Sequence, residues 1–249
     1  MRRALAFLTL FGRARAPTPR TFDWFPLVGA LIGLAVGGVW WAAGRVWAPM
    51  VAAGIAVGAD VALTGYLHFD GLADAADGLL PPMSRARRLE VMRDPSVGAF
   101  AAVTVTTVLL LRFAAFATIP AAPLAVAALW CGSRTAMTVV ARTLPYARQD
   151  GGLATAFVAS PEGQTARSSL PSGWTTVGVV TAIAGVVGAI ALSLLGRGLH
   201  GLAAVGAEAL AAAVVAVFAW RRIGGYTGDV LGASGVVAET VGLLVLAAR

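Results

Sequence analysis

The chain has 249 residues, 58% of them apolar and 12% charged, with a mean hydropathy of +0.80. Soluble domains carry about 25% charged residues, so this composition excludes an ordinary soluble enzyme and reads as a polytopic membrane protein. The net charge of +7 comes from 19 basic residues, all arginine, scattered over short connections between apolar runs; that distribution suits orientation in a bilayer and not nucleic-acid binding.

The N-terminus, MRRALAFLTLFGRARAP, has the charged start of a signal peptide without a convincing small-residue cleavage site. Residues 1–20 are expected to lie on the membrane as an interfacial segment, with Arg2, Arg3, Arg13 and Arg15 among the headgroups. Runs of about 20 apolar residues, enough to cross a bilayer, fall near 25–44, 51–68, 99–119, 121–141, 175–195, 201–220 and 235–248. Backbone groups in lipid have to be satisfied internally, so these runs should be helices. The expected fold is an all-α polytopic integral membrane bundle, about seven transmembrane helices in a single domain over 1–249, with an active site facing the cytoplasm. The last run is short, and the second leads straight into an acidic cluster. Gly29, Gly33, Gly37 and Gly38 in the first run permit close helix packing, within the chain or in a homodimer. Cys131 reads as a small packed side chain, and His68 and His200 are too far apart for a zinc site.

Arginines mark one side of the membrane. Arg2, Arg3, Arg13, Arg15 and Arg20 precede the first run, Arg85, Arg87, Arg88 and Arg93 follow the second, and Arg142, Arg148 and Arg167 follow the fourth. Arg221 and Arg222 follow the sixth, whereas the intervening connections hold only Arg45 and Arg197, with Arg249 at the C-terminus. The positive-inside rule places the N-terminus in the cytoplasm and the C-terminus outside. Acidic residues cluster on the same cytoplasmic side.

The most informative segment is TGYLHFDGLADAADGLL at 64–80, with Asp70, Asp74 and Asp77 at i, i+4 and i+7. A helix puts these three carboxylates within roughly 60° of one another. Crowded like charges raise one another's pKa and resist burial, and a divalent metal is the simplest partner. RLEVMRDPSVGAF adds Glu90 and Asp94 at i, i+4, interleaved with Arg88 and Arg93; ordinary charge pairing on a solvated helix competes with a shared metal site. Arg134 lies within a hydrophobic run, where a charge usually faces a polar cavity or partner. Asp60, also within a run, is expected to pair with an arginine. In GGYTGDVLGA at 224–233, Asp229 sits in a glycine-rich loop; the backbone around Gly224 and Gly225 suits phosphate, or a tight turn between spans.

Taken in order, TGYLHFDGLADAADGL, RLEVMRDPSVGAF, the Ser133-Arg134 pair, the YAR at 146–148 followed by Gly151-Gly152, and GGYTGDVLGA resemble the cobalamin synthase family, the adenosylcobinamide-GDP ribazoletransferases of late vitamin B12 synthesis. The resemblance implies a bacterial inner-membrane transferase. In that family a hydroxyl of α-ribazole, or of its 5′-phosphate, attacks the cobinamide-linked phosphate of adenosylcobinamide-GDP, and GMP leaves. Displacement at a diphosphate calls for divalent metal, positive side chains and a base. The expected metal ligands for Mg²⁺ are Asp70, Asp74 and Asp77, with Glu90 and Asp94 completing the shell or holding a second ion. Asp77 is the first candidate for general base and His68 the second; on a continuous helix His68 points about 160° away from Asp70. Arg88, Arg93, Arg134 and Arg148 are candidate phosphate contacts. The chain departs from the family after its first FLT, so Arg13, Arg15 and Arg20 receive no role in substrate binding.

Competing readings share the chemistry. A CDP-alcohol phosphatidyltransferase also uses a membrane aspartate cluster, but its DGxxAR spacing is absent, since Leu72-Ala73-Asp74 follow Asp70-Gly71. A prenyltransferase is a weaker relative of the same idea. A cation transporter would hold its carboxylates near the bilayer midplane, whereas this cluster follows the end of the second run.

Overall fold

The structure is a computed structural model, and it describes residues 1–10, 18–148 and 174–248. Among these residues it is a bundle of helices without a strand: α1 (Arg2–Leu8), a 3₁₀ turn (Pro19–Trp24), α2 (Phe25–Ala43), α3 (Pro49–Leu63), α4 (Leu67–Leu79), α5 (Arg85–Val91), α6 (Ala99–Thr118), α7 (Pro123–Thr143), α8 (Thr176–Ile223) and α9 (Gly228–Ala247). Proline opens several of them, with Pro26, Pro49 and Pro123 in the first turns of α2, α3 and α7, where a missing N–H costs nothing. Arg13, Arg15, Gly151, Gly152, Arg167 and Arg249, named from the sequence, lie outside the described residues.

Five helices are long and apolar enough to cross a membrane, and the bent pair α3 and α4 makes a sixth candidate. This is a polytopic helical membrane protein. At 48 residues α8 would be about 72 Å long if straight, more than twice the hydrocarbon core. It is not straight. Gly198 takes φ 58° and ψ −140°, and the chain reverses there: a Cβ on Gly201 would meet the Ser193 carbonyl oxygen at 2.4 Å. The two limbs of α8 therefore cover the separate runs expected at 175–195 and 201–220, and the apolar runs map onto the bundle in order.

α7 is the central helix. Against it lies the glycine stripe of α2: a Cβ on Gly29 would come 2.3 Å from the Trp130 carbonyl oxygen, one on Gly33 2.7 Å from Trp130 and Val126, and one on Gly37 2.6 Å from Pro123. The stripe is thus used inside the chain, allowing backbone-to-backbone approach, while Gly38 faces nothing within 4 Å.

α3 and α4 meet at 87°. Gly65 and Tyr66 both take left-handed backbone, at φ 59° and 62°, and Thr64 closes the end of α3 by donating to the Asp60 carbonyl at 2.9 Å. With 13 residues α4 is too short to cross a bilayer alone. It turns away from the direction of α3 and lays its aspartates across one end of the bundle.

Candidate functional site at the end of the bundle

α4 presents two opposite faces. His68, Phe69, Leu72, Ala75 and Ala76 are buried, whereas Asp70 is exposed and Asp74 and Asp77 are partly exposed. His68 therefore points inward, away from Asp70, as helical spacing requires. The buried face packs on α9 so closely that a Cβ on Gly71 would sit 3.0 Å from the Asp229 backbone. Asp229 is in the first turn of α9, not in a loop, and the short last run lengthens to the 20 residues of that helix.

Three elements converge there. The 144–148 connection is pinned to 224–226 by Tyr226 N donating to the Pro145 carbonyl at 3.0 Å and Ala147 N donating to the Tyr226 carbonyl at 2.8 Å. Gly224, at φ 76°, ends α8 with its N–H on the Trp220 carbonyl, and a Cβ on Gly225 would strike the Pro145 carbonyl oxygen at 2.1 Å. These glycines close a tight turn. What the turn positions is Arg148, which donates to Asp229 Oδ2 at 2.7 Å and to the Met92 carbonyl at 3.0 Å.

Arg148 stands between two cavities. One, of about 490 Å³, is an open groove lined by Arg85, Leu89, Glu90, Arg93, Ala147 and Arg148. The other, of about 140 Å³, is more enclosed, and its lining combines Phe7, Phe22, Phe25 and Met137 with Asp70, Arg148 and Asp229.

The five expected carboxylates are not assembled into one shell. Asp70 and Asp74 share the α4 face with Asp229 and Arg148 nearby. Burial first, then the charges of Asp229 and Asp70, push the Asp74 carboxyl up to about 7, with the Arg148 charge opposing the rise. Asp77 instead anchors a neighbouring helix. Its two oxygens accept from Gly98 N at 2.6 Å and Ala101 N at 2.9 Å, holding the start of α6 at its positive end. Glu90 pairs with Arg87 at 2.9 Å on the exposed face of α5, the ordinary charge pairing of a solvated helix. Asp94 accepts from the Ser96 hydroxyl at 2.6 Å and the Ser96 N–H at 2.9 Å, and the hydroxyl bond foremost lowers its pKa. Among the described residues, no group of three Asp, Glu, His or Cys side chains stands close enough to hold a metal unaided.

The arginines also separate. Arg88 is buried and donates to the Gly78 and Leu79 carbonyls at 2.8 Å each, capping the C-terminus of α4. Arg93 is exposed on the groove wall. Arg134 is fully buried in an ionic cluster that sequence reading saw only in part. Arg112 on α6 bridges Asp60 on α3 at 2.5 Å and Glu239 on α9 at 2.7 Å, with Thr240 Oγ1 at 2.9 Å. Trp130 Nε1 donates to Asp60 at 2.9 Å, Ser133 donates to Glu239 at 2.8 Å, and Arg134 pairs with Glu239. Asp60 does pair with an arginine, but with Arg112. Neither Arg112 nor Glu239 was singled out from sequence, although a charge inside an apolar run is itself the signal. Glu208 on α8 was missed in the same way; it is buried beside Gly132, near the Ser133 backbone and the Arg134 charge.

His68 touches this cluster from the other side. Its Nδ1 lies 3.3 Å from Arg134 Nη2. A guanidinium only donates, so Nδ1 is the acceptor and Nε2 carries the proton. An imidazole in that state offers Nε2–H as a donor.

The fold and site together define a polytopic membrane protein with carboxylates and arginines gathered around two cavities at one end of its bundle, an arrangement suited to phosphate-bearing ligands. The chain belongs to the cobalamin-5-phosphate synthase family, whose model matches residues 1–247. Similar curated proteins carry the name adenosylcobinamide-GDP ribazoletransferase: one of Chlorobaculum tepidum is 36% identical over 95% of this chain and 89% of its own length. One of Bradyrhizobium diazoefficiens is 36% identical over 90% and 81%, and one of Leptothrix cholodnii 35% over 96% and 93%. No solved structure matches the chain.

Proposed function

We infer that the protein is an adenosylcobinamide-GDP ribazoletransferase, completing the nucleotide loop of adenosylcobalamin or its 5′-phosphate. The observation that carries the mechanism is Arg148, held by Asp229 at the boundary of two cavities. The open groove beside it, walled by Arg85 and Arg93, takes the GMP portion of the donor. Arg148 then contacts the phosphate that links this portion to cobinamide, a pairing guanidinium makes in bidentate fashion.

The acceptor hydroxyl oxygen forms a bond to that phosphorus, the phosphorus–oxygen bond to GMP breaks, and GMP departs with the electron pair. Asp229, on the wall of the enclosed cavity, is the carboxylate placed to take the hydroxyl proton as Arg148 turns to the phosphate. Asp70 and Asp74 supply hard oxygen donors for Mg²⁺. Two carboxylates with substrate phosphate oxygens are a usual magnesium environment, which fits a face where no three protein ligands converge. Bound there, the cation would neutralise charge building on the diphosphate. The arginine distribution supports a cytoplasmic N-terminus and a site open to the cytoplasm.

Purified protein incubated with adenosylcobinamide-GDP, α-ribazole and Mg²⁺ should release GMP with formation of the corrinoid product. Asp70→Ala and Asp74→Ala should each lower turnover about 100-fold or more. Absence of turnover in the wild type, or full turnover in both variants, would defeat this reading; CMP release from CDP-diacylglycerol would favour a phosphatidyltransferase.

A further inference from the structure

We propose that the enclosed cavity is the acceptor site, holding the flat aromatic base of a nucleoside whose free ring nitrogen accepts a hydrogen bond from His68 Nε2; this rests on the transferase reading above. The cavity has an unlike lining. Phe25 stacks near Phe7, with ring centroids 6.1 Å apart, and meets Phe22 edge-on at 4.8 Å, so these three lining residues form one aromatic cluster. Asp70, Asp229 and Arg148 line the same cavity and supply the polar groups that a sugar hydroxyl and a phosphate would meet. An apolar cavity of about 150 Å³ admits a benzene ring, and this one is of similar size, about 140 Å³, and not fully closed.

One of its lining residues, His68, has a buried ring nitrogen, Nε2, without a hydrogen-bond partner among the described residues, whereas Tyr146 and Arg148, also in the lining, are joined by a side-chain hydrogen bond. Buried polar groups are ordinarily satisfied, so an orphan in the lining of a cavity points to a ligand that satisfies it. That orphan belongs to His68. It is 4% exposed, and the Arg134 guanidinium on Nδ1 leaves Nε2–H as a fixed donor. A donor set beside an aromatic wall reads an acceptor nitrogen in the plane of a ring. The benzimidazole base of α-ribazole has one ring nitrogen bonded to ribose and one unsubstituted, with its lone pair in plane.

The test is equilibrium binding to the full-length protein in detergent, without the corrinoid donor, comparing α-ribazole with its indole isostere, in which C–H replaces the unsubstituted nitrogen. The wild type should favour the benzimidazole nucleoside about 10- to 100-fold, because the isostere leaves a buried donor unpaired. His68→Leu should bring the ratio close to 1, and His68→Gln, whose amide can still donate, should retain part of it. Phe25→Ala should weaken both nucleosides together and leave the ratio unchanged. Equal binding of the two nucleosides by the wild type, or binding of neither, overturns the proposal, as does an unchanged ratio in His68→Leu. Turnover without discrimination would sink this assignment and leave the transferase; discrimination without turnover would do the reverse.

Discussion

Asp74 is the residue whose ionisation reports on the site. Its carboxyl is pushed up to about 7 from 3.8, so between about pH 4 and pH 7 the folded chain holds a proton that the unfolded chain releases. Metal-free protein should therefore lose stability from this group as pH rises through that window and level off above it. Saturating Mg²⁺ flattens the slope, because the cation displaces the proton: its apparent affinity should fall up to about tenfold per pH unit below pH 7. Titrations of Mg²⁺ at pH 6, 7 and 8 would measure this, and a pH-independent affinity would remove Asp74 from the metal site. The two glutamates of the bundle interior should behave oppositely. Glu239 balances Arg112 and Arg134, so Glu239→Gln leaves buried charge uncompensated and should cost about 3 kcal/mol. Glu208 is buried and forms no salt bridge among the described residues, and Glu208→Gln, which keeps one oxygen acceptor, should leave the thermal midpoint in detergent unchanged or raise it.

At the level of elements, α4 carries most of the site because the Gly65-Tyr66 reversal turns it by 87° from α3. Its three-aspartate face was legible in the sequence, since helical spacing alone sets it. The division of labour within it was not, because that depends on which element arrives at each carboxylate. α6 begins against Asp77, and the Asp77 oxygens go to its backbone; nothing in residues 64–80 announces that. Arg88 was legible as a charge but not as the cap of α4, which the return of α5 creates. The same holds for GGYTGD, read as a loop because glycine breaks helices, while Thr227 caps Val230 N and starts α9 from inside it. Asp77→Asn separates anchoring from catalysis. Asparagine keeps one of the two acceptor oxygens and turns an N–H₂ toward the other backbone N–H, so this variant should lose about 1–3 kcal/mol of stability and keep most of its turnover where it is folded. A fall of about 100-fold or more in turnover with an unchanged melting midpoint would restore Asp77 as the base.

At the scale of the whole molecule, hydropathy found the runs because bilayer thickness fixes their length, and the reversal at Gly198 shows why the two runs within α8 are distinct spans. What hydropathy cannot contain is the lateral arrangement, which rests on the α2 glycine stripe against α7 and on the Asp60, Arg112, Glu239 and Arg134 cluster joining α3, α6, α9 and α7. Orientation is a separate matter, because the same bundle inserted either way up has the same internal contacts. Only the arginine bias distinguishes the two, and nucleotide substrates require the site to face the cytoplasm. Single cysteines decide it. Cys131 is buried, at 4% exposure, and Cys131→Ser provides a silent background. Val46, in the connection between α2 and α3, is 71% exposed, and Arg87, on α5 beside the site, has a side chain 58% exposed. A membrane-impermeant maleimide should label Val46→Cys in spheroplasts and Arg87→Cys only in inverted vesicles. The opposite pattern would turn the site outward, away from any cytoplasmic pool of GDP-linked donor, and the transferase reading would then need a substrate delivered from the other side.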